Sequence, residues 1–311
     1  MANTLIIPYL NPVSFKQLNP TLIPQYVSKH MDDFLFTETI RDHQQPVNYY
    51  ATWLKNDAIR LQIKTNYTPV VLKLKRCDGS EVYSQNFDTK QQDEDNPGTY
   101  LRQVDLDLSI YDSGFYYLEI RVGSVPLGFV SEPFKISDES KNTILIEYSH
   151  FEKRGDIYFQ SPFSPNLRVP AVIDYNDTLS KDVVFEDEPL SETLLKSTPF
   201  RIMDFKLGNA AGVPPWLSDK VKRIFGCSSL RLDGRYYTKQ DGDKWERFEQ
   251  KDYPMHGWAI KLRETYNRDS VTYENDSEVI GIAAAGLIVS TKGFGMNDNS
   301  GTDYIEIESL T

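Results

Sequence analysis

The sequence predicts a mainly β protein: an immunoglobulin- or fibronectin-like β-sandwich followed by a second β-rich domain with one short helix. Three observations carry this expectation. Apolar and polar residues alternate along several short segments, such as Ala58-Ile59-Arg60-Leu61-Gln62-Ile63-Lys64, the period of a strand with one buried face. Turn residues separate such segments, above all Asp78-Gly79 between Val70–Lys75 and Glu81–Phe87, a strong hairpin signal. Aromatic content is high, with 19 Tyr and 16 Phe against 5 Met, and these rings suit pleated, half-buried surfaces.

Residues 1–46 read as an extended N-terminal arm, because Pro8, Pro12, Pro20, Pro24 and Pro46 interrupt every apolar run. Two placements fit it: a strap over the chain's own core, or an arm along a neighbouring subunit. Residues 47–137 carry the sandwich signals. The acidic stretch Lys90–Gly98 reads as an exposed loop, and Val104, Leu106, Leu108 and Ile110 alternate after it. The turn Asp112-Ser113-Gly114 then leads into Phe115-Tyr116-Tyr117, placing Tyr116 as a tyrosine corner whose hydroxyl bonds back to the turn backbone. Val130–Ile136 closes this unit.

Residues 138–311 read as the second β-rich domain. Strands are expected at Thr143–Tyr148, Asp156–Gln160, Arg168–Ile173, Thr198–Leu207, Ser229–Leu232, Trp245–Phe248 and Trp258–Glu264, with an edge strand at Tyr304–Glu308. Val183–Glu192, rich in acids and carrying a proline, reads as a solvated loop. Asp233-Gly234 marks a tight turn. The helix is expected over 214–225: prolines are tolerated at its start, Leu217, Val221, Ile224 and Phe225 share a face, and Gly226 is placed to supply a left-handed cap.

Composition narrows the function classes. A length of 311 residues suits two domains, and a net charge of −11 argues against nucleic-acid binding by the chain as a whole. Basic residues cluster only briefly, as in Lys220-Val221-Lys222-Arg223. The N-terminus shows no signal-peptide pattern, and the longest apolar run, Val279–Val289, falls short of the roughly 20 residues that span a bilayer. Cys77 and Cys227 lack metal-ligand spacing and read as buried free thiols, which fits synthesis in a reducing cytoplasm.

No catalytic, cofactor-binding or metal-binding residue is assigned. His30, His43, His150 and His256 form no metal-ligand motif, and neither a nucleophile elbow nor a phosphate loop is present. Leu207–Val213 precedes the helix with two glycines; it reads as a plain loop, with an anion site at the helix start the lesser alternative. Asp241-Gly242-Asp243 and Asn297–Asp303 offer oxygen ligands but lack the calcium-loop pattern. Trp216, Trp245 and Trp258 suit either core and subunit contacts or a sugar-stacking platform.

One stretch carries a resemblance. Gly208–Leu217, Arg223–Cys227, Leu232–Tyr237 and Tyr253–Glu264 follow one another in an order that resembles uncharacterised tail and virion-module proteins of phages and prophages of Bacteroides-like bacteria. Asn142–Tyr148 with Gly155–Phe159 is similar to the same group, so the likeness covers the C-terminal half. It implies a virion structural subunit of the tail tip, baseplate or neck, made in the bacterial host cytoplasm and located in the virion. Its expected partners are further copies in a ring and other virion proteins. It brings no catalytic residue. A carbohydrate-binding or adhesin module is the alternative, with a glycan as ligand, and an enzyme is the weakest of the three.

Overall fold

Regular alternation becomes strand along most of the described chain, and the mainly β class is borne out, with one short helix among the described residues. A computed structural model describes residues 4–18 and 49–265, apart from 94–96, 124–127, 140, 155–156, 160–162, 187–191, 209–211, 241 and 249–254, together with the backbone of 270–275, 278–283 and 288–290. The rest of the expected arm, the edge strand Tyr304–Glu308, Asn297–Asp303, His30 and His43 lie outside the described residues. The chain forms two compact units, Met1–Glu264 and Thr265–Thr311.

The first unit begins with β1 (Leu5–Ile6) and β2 (Phe15–Leu18), which flank a turn-rich stretch holding buried Leu10, Asn11 and Val13. These residues lie against their own chain: β1 pairs with β4 (Ala58–Thr65), and β2 pairs with β10 (Gly128–Ser131). One sheet orders β1-β4-β8-β7, with β7 at Asp88–Gln92 and β8 at Tyr100–Asp107. The other runs through β9 (Gly114–Val122), which pairs with β5 (Val70–Arg76), β10 and β11 (Phe134–Ser137). Beyond these, β6 (Glu81–Asn86) joins β5, and β3 (Ala51–Leu54) lies parallel to β11. Ile59, Leu61 and Ile63 from one sheet share a core with Leu72, Leu118 and Trp53 from the other. Gly79 takes the left-handed conformation in the β5–β6 turn, as Asp-Gly hairpins require. The Tyr116 hydroxyl donates to the Asp112 carbonyl at 2.8 Å, the corner bond expected from the sequence. The last expected strand is cut in two at Glu132-Pro133, because proline cannot continue the ladder.

The next strands close on themselves. β12 (Thr143–Ser149) pairs with β13 (Asn166–Glu186), β13 with β14 (Glu192–Leu207), and β14 with β18 (Gly257–Glu264). β18 pairs in turn with β16 (Arg235–Lys239), β16 with β15 (Ser229–Leu232), and β15 with β12. The result is a closed antiparallel barrel, with β17 (Glu246–Phe248) added along β18. Ile146, Leu167, Val169, Phe205, Leu207, Leu230, Leu232, Ile260 and Leu262 are buried on its inward face. Helix α1 (Pro215–Ile224) buries Leu217, Val221 and Ile224 as expected, and Phe225 stacks near Phe205 and Trp245. In the second unit, β19 (Ser270–Asn275), β20 (Glu278–Ala283) and β21 (Ile288–Ser290) form an antiparallel meander.

Several expectations need correction. β4 was expected to have one buried face, yet Gln62 and Lys64 are buried as well, because the barrel side covers them: the Gln62 amide exchanges bonds with the Tyr158 backbone at 2.8 and 2.9 Å. Lys90–Gly98 is not simply an exposed loop, since Lys90–Gln92 continue β7 and Asp93 is buried, accepting from the Tyr158 hydroxyl at 2.7 Å. Of the expected strand Asp156–Gln160, the described residues Ile157–Phe159 hold an isolated bridge from Ile157 to Arg154. Gly226 does not take a left-handed conformation; the helix end is closed by N–H bonds from Phe225 to Val221 and from Gly226 to Arg223. Val183–Glu186 and Glu192 are strand, not loop.

Candidate interaction surface

Among the described residues, no group of three His, Cys, Asp or Glu could hold a metal. His150 accepts the Ser228 backbone N–H at 3.0 Å, and His256 bridges to Val213 through backbone bonds of 3.0 and 3.2 Å. The glycine-bearing loop before α1 packs against that same backbone. A Cβ at Gly212, whose φ is +77°, would lie 2.8 Å from the His256 nitrogen. Pro214 and Pro215 at the helix start lack the N–H groups an anion would need. Asp243 caps the Lys261 backbone N–H at 2.6 Å. Trp216, Trp245 and Trp258 are half-buried against the core, the first edge-on to Tyr49 and the second to Phe205, so they form no shared platform. In the basic stretch, Lys220 is buried, Lys222 lies over the Trp258 ring, and Arg223 pairs with Asp219 at 2.8 Å. No helix among the described residues is long and apolar enough to cross a membrane.

An open hollow of about 450 Å³ is lined by Tyr9, Leu10, Arg154, Asp219 and Arg223. The Tyr9 hydroxyl donates to Asp219 at 3.0 Å, Arg223 holds the same carboxylate, and Arg154 donates to the Gly226 carbonyl. Burial and the Asp219 carboxylate push Tyr9 up to about 12. This wall offers no activated nucleophile.

The seam between sandwich and barrel is unusually polar. Arg168 forms a bidentate pair with Asp57, and Lys220, fully buried, donates to the Asn11 carbonyl at 3.0 Å and to Ser14 Oγ at 2.6 Å. Glu132 accepts the Ser14 backbone N–H at 2.8 Å. Burial raises Glu132 to about 7 and lowers Lys220 to about 8. These groups hold the strap, sandwich and helix together.

What projects from the barrel is different. Beyond Tyr175 on β13 and Ile202 on β14, the two strands continue as a ribbon with no further strand pairing among the described residues. From Tyr175 to Glu186 it extends roughly 35 Å at the usual rise per residue. Direct pairing assigns its faces. Leu179, opposite Phe200, and Val183 lie on one side; Ser180 opposite Pro199 and Asp182 opposite Ser197 lie on the other. The Asp182 side is tied by Ser197 and Ser180 hydroxyls donating to Asp182 at 2.6 and 3.0 Å, which lowers the carboxyl below its ordinary range. Across both sides the ribbon displays Tyr175, Leu179, Val183, Val184, Leu194 and Leu195, between 42% and 63% exposed. A two-stranded hairpin is marginal alone in water, so a ribbon of this length with open apolar side chains calls for a covering surface. No local pattern marks it, because the run Glu186–Glu192 is acidic and the flanking residues lack a buried-face alternation.

Compared with protein-family models, with curated proteins and with solved structures, the chain gives no match.

Proposed function

We propose that this protein is a structural subunit of a phage virion, in the tail tip, baseplate or neck, and that it acts through protein–protein packing. The observation that carries the reading is the projecting β13–β14 ribbon, whose exposed Leu179, Val183, Val184, Leu194 and Leu195 are suited to burial against another chain. The resemblance of the C-terminal half to phage tail and virion-module proteins points the same way. So does the pairing of sheets β1-β4-β8-β7 and β6-β5-β9-β10, which supports an immunoglobulin-like reading of this part, a common interaction module. The buried charged seam inside Met1–Glu264 makes that unit a rigid base from which the ribbon extends.

The test is mass spectrometry of purified phage particles induced from the host that encodes the chain. Recovery of the chain at fixed stoichiometry to the tail proteins is the expected result. Its absence from intact particles, with the protein left in the soluble lysate, would overturn the reading.

A further inference from the structure

The ribbon has two open edges, and they are not equivalent. The outer edge of β14 carries Pro199, which has no N–H to donate, and an extra residue at Leu195 that breaks the register. The outer edge of β13 runs from Asp177 to Glu186 without a proline. Natural proteins usually blunt so long an edge. The other edges among the described residues are shorter: β6 and β19 have six residues each, β7 has five and a register shift, β2 and β3 have four, β17 and β21 three, and β1 two. The edge that matches β13 in length and freedom from proline is β13 itself.

Resting on the reading of the chain as an assembly subunit, we infer that the outer edge of β13 pairs antiparallel with the same edge of a second copy, across a two-fold axis at Leu179. The antiparallel arrangement follows from the two faces of the ribbon. A two-fold axis perpendicular to the sheet keeps both copies the same way up, so that Leu179 meets its counterpart and the Asp177 and Lys181 of both copies lie on one side. A parallel pairing turns one copy over and sets the Leu179 side of one beside the Asp182 side of its neighbour. Charge then fixes the register. With Leu179 opposite its own counterpart, Asp177 of each copy lies opposite Lys181 of the other, and Thr178 lies opposite Ser180. Asp177 and Lys181 are both exposed and share the Leu179 side of the ribbon. Centring the pairing on Lys181 or Asp182 instead sets like charges against each other. The contact is isologous and joins copies in pairs within whatever larger assembly contains them.

Light scattering after size exclusion of the full chain, from micromolar to sub-millimolar concentration, tests this with four exposed-site variants. The wild type is expected to dimerise. Lys181→Asp should weaken the dimer about tenfold or more, and the exchange D177K/K181D should restore it, which a general loss of folding would not do. Leu179→Cys should cross-link under mild oxidation, whereas Thr178→Cys should not. An oligomer insensitive to Lys181→Asp, with Leu179→Cys left unlinked, would overturn the edge pairing while leaving the subunit reading in place. A wild-type monomer at all concentrations would also overturn the edge pairing, and particle mass spectrometry would then decide the subunit reading separately.

Discussion

Arg168 grips Asp57 with two hydrogen bonds, Nε to Oδ2 at 2.6 Å and Nη2 to Oδ1 at 2.8 Å, joining a barrel strand to the turn that opens β4. The two side chains are 9% and 4% exposed, so neither charge has water to fall back on. Asp57 also accepts the Leu54 backbone N–H at 2.8 Å and so fixes the turn. Arg168→Met should leave a buried carboxylate unpaired and cost about 3–5 kcal/mol in urea unfolding. The double variant D57N/R168M should lie closer to the wild type than Arg168→Met alone. A single variant that unfolds at the wild-type midpoint would show that this pair does not hold the seam.

Glu132 and Lys220 give the fold an expected dip in stability near neutral pH. Glu132 is raised from 4.5 to about 7 by burial, so its contribution is fully present below about 4.5 and is lost as pH rises through about 7. Lys220 is lowered from 10.5 to about 8 by burial, so its contribution is present above 10.5 and is lost as pH falls through about 8. Both are absent between those two values. Thermal unfolding followed across pH should show a shallow minimum there, and E132Q/K220M should flatten it. A wild-type profile that peaks at pH 7.5, unchanged by the double variant, would count against this.

The tyrosine corner is testable with one atom. Tyr116 is 1% exposed and its hydroxyl satisfies the Asp112 carbonyl. Tyr116→Phe should leave that carbonyl without its donor and cost about 1–3 kcal/mol, read from denaturant midpoints at constant slope. A cost near zero would mean that water replaces the hydroxyl at this corner.

Both cysteines are free, and burial raises each thiol from 9.0 to about 11. Since the thiolate is the reactive form, alkylation at pH 8 should run about a hundredfold slower in the folded chain than in urea. Rapid labelling of one cysteine, mapped by mass spectrometry, would show local opening around Cys77 or Cys227.

What could be read from the sequence was whatever leaves a local trace. The Asp78-Gly79 hairpin, the Tyr116 corner and the shared face of Leu217, Val221 and Ile224 each depend on neighbours a few residues away, and each is found in the fold. Closure of the barrel depends on β14 meeting β18, more than fifty residues apart, and no local pattern encodes that pairing. Polar residues misled in both directions. Gln62, Lys64 and Asp93 look solvent-facing, yet they are buried because their hydrogen-bond partners come from the barrel side. Leu179, Val183 and Leu195 look like core or loop residues, yet they stand exposed on a ribbon that leaves the barrel. Alternation within a strand reports neither burial by a distant element of the fold nor the exposure of a ribbon that leaves it.

The strap also sets a timetable for synthesis. Asn11 receives its bond from Lys220, 209 residues downstream, and at ordinary elongation rates of about 5–20 residues per second the ribosome needs roughly 10–40 s to cover that distance. Asn11 therefore meets Gln62 early, through bonds of 2.8 and 3.0 Å, whereas the Lys220 bonds that lock the stretch from Leu10 to Ser14 form only after α1 has emerged.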